Sequence, residues 1–142
     1  MRQSKTIASY TVALPNDSSV RFLSLDDVIR IHERMLEEFG GSSGIRDPGL
    51  LESAVYRPQS GYYENLAEMA AALLHSLLMN HAFVDDNKRV AVAAADVFLR
   101  FNGQSLKISA NEAEVFLIER IKASDGQLLP FTEWISRHMD PL

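Results

Sequence analysis

From residue 24 onward, apolar positions recur at the ~3.6-residue spacing of helices, and glycines and prolines punctuate them. Val28, Ile31, Met35, Leu36 and Phe39 form one apolar face of a first helix. Ser24 opens that helix with Asp26 and Asp27 in its first turn, and Gly40 and Gly41 stop it. A glycine-rich loop, GGSSGIRDPG, follows. Asp47 then caps a short helix, PGLLESAVY, which must end before Pro58. From Glu64 to about Met79 the chain is apolar nearly all round, through Leu66, Met69, Ala70, Leu73, Leu74, Leu77 and Leu78, and predicts a central helix. A further apolar-rich helix spans residues 87–102, with Gly103 just beyond its end. Ser109 and Glu112 make a capping box for ANEAEVFLIERIKAS, and Pro130 sits in the first turn of a last helix carrying Trp134.

The first 23 residues differ. TIASYTVAL and SVRFL are rich in β-branched and aromatic residues, with PNDSS between them, and predict a small N-terminal β-hairpin. The expected architecture is all-α: a compact helical bundle over residues 24–142 with a β-rich extension over residues 1–23, in one domain.

Composition narrows the function classes. A net charge of −5 argues against broad binding to nucleic acid, which needs many cationic contacts to phosphates. The absence of cysteine excludes disulfides and thiolate metal sites. No apolar run reaches the ~20 residues of a membrane span. These features predict a soluble, cytoplasmic protein that acts without direct contact to nucleic acid or membrane.

The chemistry concentrates in HAFVDDNKR, residues 81–89, between the two most apolar helices. This loop feeds directly into a helix N-terminus, whose unpaired amides and partial positive charge favour an anion. Lys88 and Arg89 are electrostatically misplaced there unless an anion such as a polyphosphate lies between them and the amides. Asp85 is a candidate Mg²⁺ ligand, because that hard ion takes one or two carboxylates together with phosphate oxygens. His81 is placed to take a proton from an attacking hydroxyl. Each part also has an ordinary structural reading, with Asp85 and Asp86 as helix caps, Lys88 and Arg89 as a solvated face, and Phe83 as a core anchor.

The segment resembles the signature of the Fic/Doc family, H-x-F-x-(D/E)-(G/A)-N-(G/K)-R, on which His81, Phe83, Asp85, Asn87, Lys88 and Arg89 stand. LSLDDVIRIHERMLEEFGG, GIRDPGLLESAVYRPQ and FLRFNG resemble the death-on-curing (Doc) branch, so the similarity covers roughly residues 22–122. The resemblance implies a toxin of a toxin–antitoxin pair, held in check by a cognate antitoxin protein. Such a toxin transfers the γ-phosphate of Mg-ATP to a hydroxyl of a target such as a translation elongation factor. It also implies His81 as general base, Asp85 on Mg²⁺, Asn87 on phosphate or holding the loop, and Lys88 and Arg89 on the transferring phosphates. AMP transfer is the alternative within the family. Lys88 in place of glycine, and Val92 where AMP-transferring members carry a second arginine, favour phosphoryl transfer.

Asp86 departs from the pattern, replacing glycine or alanine. The favoured expectation is an outward, solvated cap that leaves the anion site open. Alternatively Asp86 recruits a second metal, or it weakens nucleotide binding and leaves a catalytically weak binding module. SGYYEN, residues 60–65, matches a short inhibitory pattern of the family, but the arginine that pattern pairs with is missing, so the match reads as chance. Arg46 and Arg57 are candidates for the site rim or for helix ends, and His32 and His75 read as structural.

Overall fold

The computed structural model describes residues 20–123 and 126–142. Residues 1–19 of the expected N-terminal hairpin lie outside the described residues, and residues 20–23, the end of its second segment, form no strand. Helix α1 (Leu25–Phe39) begins in a capping box in which the Asp27 amide donates to Ser24 Oγ at 3.0 Å and the Ser24 amide donates to Asp27 Oδ2 at 2.8 Å. Helix α2 (Pro48–Tyr56) has proline at its start, and the Leu50 amide donates to Asp47 Oδ1 at 3.0 Å. A single 3₁₀ turn, Arg57–Gln59, follows.

Helix α3 (Leu66–Asn80) is the central rod, as its apolar circumference predicts. It buries Ala67, Ala70, Leu74 and Leu77 completely or nearly so, and packs against α2, α4 (Asn87–Phe101) and α6 (Leu129–His138). It starts at an Asn65 cap, two residues later than its sequence suggests, because Asn65 Oδ1 accepts from the Glu68 amide at 2.9 Å. The box between Ser109 and Glu112 opens α5 (Ala110–Ala123) as expected, with the Glu112 amide 3.2 Å from Ser109 Oγ. Trp134 of α6 stacks on Phe116 of α5, with ring centroids 4.3 Å apart.

The two strands among the described residues lie toward the other end of the chain from the expected hairpin. Strand β1 (Gln104–Leu106) pairs antiparallel with β2 (Met139–Pro141), Ser105 opposite Asp140. No helix among the described residues is long and apolar enough to cross a membrane.

One surface prediction fails informatively. Phe39 belongs to the apolar face of α1 by spacing, yet it is 57% exposed. Its ring lies under the Arg89 guanidinium, 4.5 Å from the centroid, and both residues line one cavity.

Candidate active site

The six residues between α3 and α4 are held from several sides. His81 terminates α3 in the left-handed region, φ 50° and ψ 49°, which residues with a Cβ adopt rarely. Arg46, from the glycine-rich loop, grips this turn: its Nε donates to the His81 carbonyl at 2.6 Å and its Nη2 to the Asn80 carbonyl at 2.9 Å. A guanidinium satisfies two orphan carbonyls at the negative end of a helix, so Arg46 is a helix-end cation that fixes the backbone of His81. Arg46→Ala should destabilise the fold by about 1–2 kcal/mol. A urea titration measures this, with Arg46→Lys recovering only part because an ammonium lacks the planar fork.

The glycine-rich loop also pairs with the segment that follows His81. The Ala82 carbonyl accepts the amides of Arg46 and Asp47 at 2.7 and 3.0 Å, the Val84 amide donates to the Gly44 carbonyl at 3.0 Å, and Ile45 faces Phe83 in an antiparallel bridge. Phe83 is buried, as a core anchor should be, and stacks on buried His32 with centroids 3.9 Å apart. His32 Nε2 lies 3.0 Å from the Asp85 carbonyl. A carbonyl only accepts, so that nitrogen carries the proton. Asn87 closes the turn on itself, accepting from the Phe83 amide at 3.1 Å and donating to the Phe83 carbonyl at 3.0 Å. Of the two roles implied for Asn87, its amide group is committed to holding the loop.

Asp85 accepts from the Ser42 amide at 3.1 Å and from the Asp86 amide at 2.9 Å. These bonds, that from Ser42 foremost, hold its carboxyl below the ordinary value of 3.8. The contribution of this group to stability is therefore present above pH 3.8 and disappears as the pH falls through the lower folded-state value. The Ser42 amide chemical shift should titrate with a midpoint below 3.8, and a midpoint at or above it would contradict the contact.

Asp86 corrects the outward-cap expectation. It occupies the position before α4 at φ 66°, ψ 24°, and its side chain makes no capping hydrogen bond. With that side chain only 7% exposed, Oδ1 pairs with Arg89 Nη1 at 2.9 Å. The other oxygen, Oδ2, is buried without a hydrogen-bond partner. A Cβ built on Gly41 would stand 3.0 Å from Asp85 Oδ2 and 3.2 Å from Asp86 Oδ2, so a glycine is required where the two carboxylates converge.

These residues line one end of a cavity of about 870 Å³. His81, Asp85, Asp86, Asn87, Lys88 and Arg89 all border it, and Val92, Leu106, Ile108 and Leu117 line it together with Asp96, Asn111 and Glu114. The candidate site residues of the motif thus border one cavity, while Phe83 is buried in the core. Arg57 does not border it: it donates to Tyr63 Oη at 2.7 Å and to Ser76 Oγ at 2.8 Å, a structural clasp between the 3₁₀ turn and α3. Residues 60–65 do not line the cavity. Among the described residues no three acidic, His or Cys side chains group to hold a metal on their own. The carboxylate of exposed Asp85, held ionised by two amides, does fit a hydrated Mg²⁺ whose remaining ligands are water and phosphate.

The pattern of the Fic/DOC family matches residues 22–99. Over 73 residues the chain is 53% identical to a protein named Toxin Doc from Mycolicibacterium smegmatis, covering 48% of this chain and 56% of that protein. Over 88 residues it is 36% identical to Protein kinase doc from Escherichia phage P1, covering 59% of this chain and 70% of that protein. The chain therefore spans little more than half the length of the first relative.

Proposed function

This chain belongs to the Fic/Doc family, and from that premise we propose that it is a Doc-like toxin that transfers the γ-phosphate of Mg-ATP to a hydroxyl of a target protein. The observation that carries this reading is the meeting of His81, Asp85, Lys88 and Arg89 around one cavity at the N-terminus of α4. Cations in the first turn of a helix gain nothing from the helix itself and gain much from a polyanion laid across them.

In this mechanism the phosphates lie against the first turn of α4, with Lys88 and Arg89 neutralising the charge that shifts during transfer. Mg²⁺, held by Asp85, supplies further neutralisation of phosphate charge when bound. The hydroxyl oxygen of the target forms a bond to the γ-phosphorus. The bond from that phosphorus to the β,γ-bridging oxygen breaks, ADP leaves with the electron pair, and the hydroxyl proton passes to the His81 imidazole. Arg46 and His32 fix the backbone on either side of the reacting groups, and Asn87 holds the turn closed. The name Protein kinase doc of the phage relative supports phosphoryl transfer, as does lysine rather than glycine at position 88. By the same reasoning the protein acts in the cytoplasm, a cognate antitoxin covers the cavity, and a translation elongation factor is a fitting type of target.

ATP labelled at the γ-phosphate, incubated with the protein and a cell lysate, should pass its label to a protein, while ATP labelled at the α-phosphate should not. Transfer from the α-position alone would establish AMP transfer instead. A second reading, a catalytically weak binding module, is favoured by the Asp86–Arg89 pair, which occupies a cation the reaction needs. Absence of label transfer from either position, with partner binding intact in His81→Ala, would decide for it.

A further inference from the structure

The Asp86 carboxylate is placed at the cost of three unfavourable features. Its backbone is left-handed at φ 66°, its side chain is more than nine-tenths buried, and one of its oxygens has no partner. A glycine, as the family pattern has there, avoids all three. One contact stands against them, the 2.9 Å pair with Arg89, a guanidinium that is itself about half exposed and already rests on the Phe39 ring. The carboxylate caps none of the α4 amides, so capping does not explain it.

We infer that Asp86 is a specificity-determining latch: it occupies Arg89 as a stand-in for phosphate, and only a polyphosphate chain can displace it. A single carboxylate carries one negative charge, and an anion must outbid it for the guanidinium while approaching a like charge. A compact anion such as sulfate meets that repulsion with few contacts to offset it, whereas the chain of a di- or triphosphate can take Arg89, Lys88 and the helix amides together. The site is thereby kept shut to the small anions of the cell and opens to nucleotide. This inference rests on the phosphate-site reading above and adds to it the class of anion admitted.

The test uses inorganic pyrophosphate and sulfate as probes, in calorimetric titrations of the full chain and of Asp86→Asn. Asparagine keeps the shape and tolerates the left-handed backbone, so the substitution removes charge alone. Pyrophosphate should bind Asp86→Asn about tenfold or more tightly than the native chain, and sulfate should bind measurably only to the variant. Asp86→Gly should match it and melt at a higher temperature than the native chain, since it relieves both the buried charge and the backbone. Equal or weaker pyrophosphate binding in Asp86→Asn overturns the latch, as does sulfate binding to the native chain as tightly as to the variant. The titrations contain neither a target protein nor Mg²⁺ and read binding alone, so these outcomes are independent of whether label moves from ATP to protein.

Discussion

His81→Ala should reduce phosphoryl transfer by about 10²–10⁴-fold, the contribution typical of a positioned general base, while leaving Mg-ATP binding and the melting temperature close to those of the native chain. His81 is exposed and borders the cavity, and Arg46 donates to its main-chain carbonyl, which alanine retains. Both side chains carry a Cβ, so the left-handed backbone at φ 50° is equally strained in each. His81→Asn, better suited to that backbone, should be equally inactive and slightly more stable. Growth arrest on expression without a partner should vanish in both. Native rates in either variant would remove histidine from the chemistry.

Arg89→Ala should have two effects that separate. Loss of a preorganised cation from the transferring phosphates should lower the rate by about 10²–10³-fold. The same change leaves the Asp86 carboxylate buried and unmatched, which should destabilise the fold by about 1–3 kcal/mol, nearer the lower figure because Arg89 is half exposed. Urea denaturation and label transfer measure the two independently. Combining Arg89→Ala with Asp86→Asn should restore stability and leave activity lost, because the buried charge is gone but so is the cation. A double variant that recovers transfer would mean that Arg89 serves only to neutralise Asp86.

Much of the scaffold is legible from local pattern. The all-round apolarity of residues 66–78 places α3 at the centre, and Ser24, Asp47 and Ser109 each cap the helix they precede. The motif residues are legible because a helix start with two cations is electrostatically odd. What escapes is long-range. Arg46 reaches the end of α3 across 35 residues, and His32 reaches Asp85 across 53, with no local signature of either contact. Strands β1 and β2 are three residues each and join segments 35 positions apart, too short and too distant for alternation to reveal. The orientation of Asp86 escapes for another reason. Asp before a helix ordinarily has extended backbone and caps outward, but here a left-handed turn and an arginine three residues on draw the side chain inward. Phe39 leaves the core face for the same partner, lying beneath Arg89.

The first turn of α4 should receive the phosphates of a nucleotide. Titrating the isotopically labelled protein with Mg-ATP, and following its backbone amides by NMR, tests this most directly. The amides of Asn87, Lys88 and Arg89, with that of Ser42 beside Asp85, should show the largest shifts, saturating together with one affinity. Saturable shifts centred elsewhere, or none at the start of α4, would contradict it.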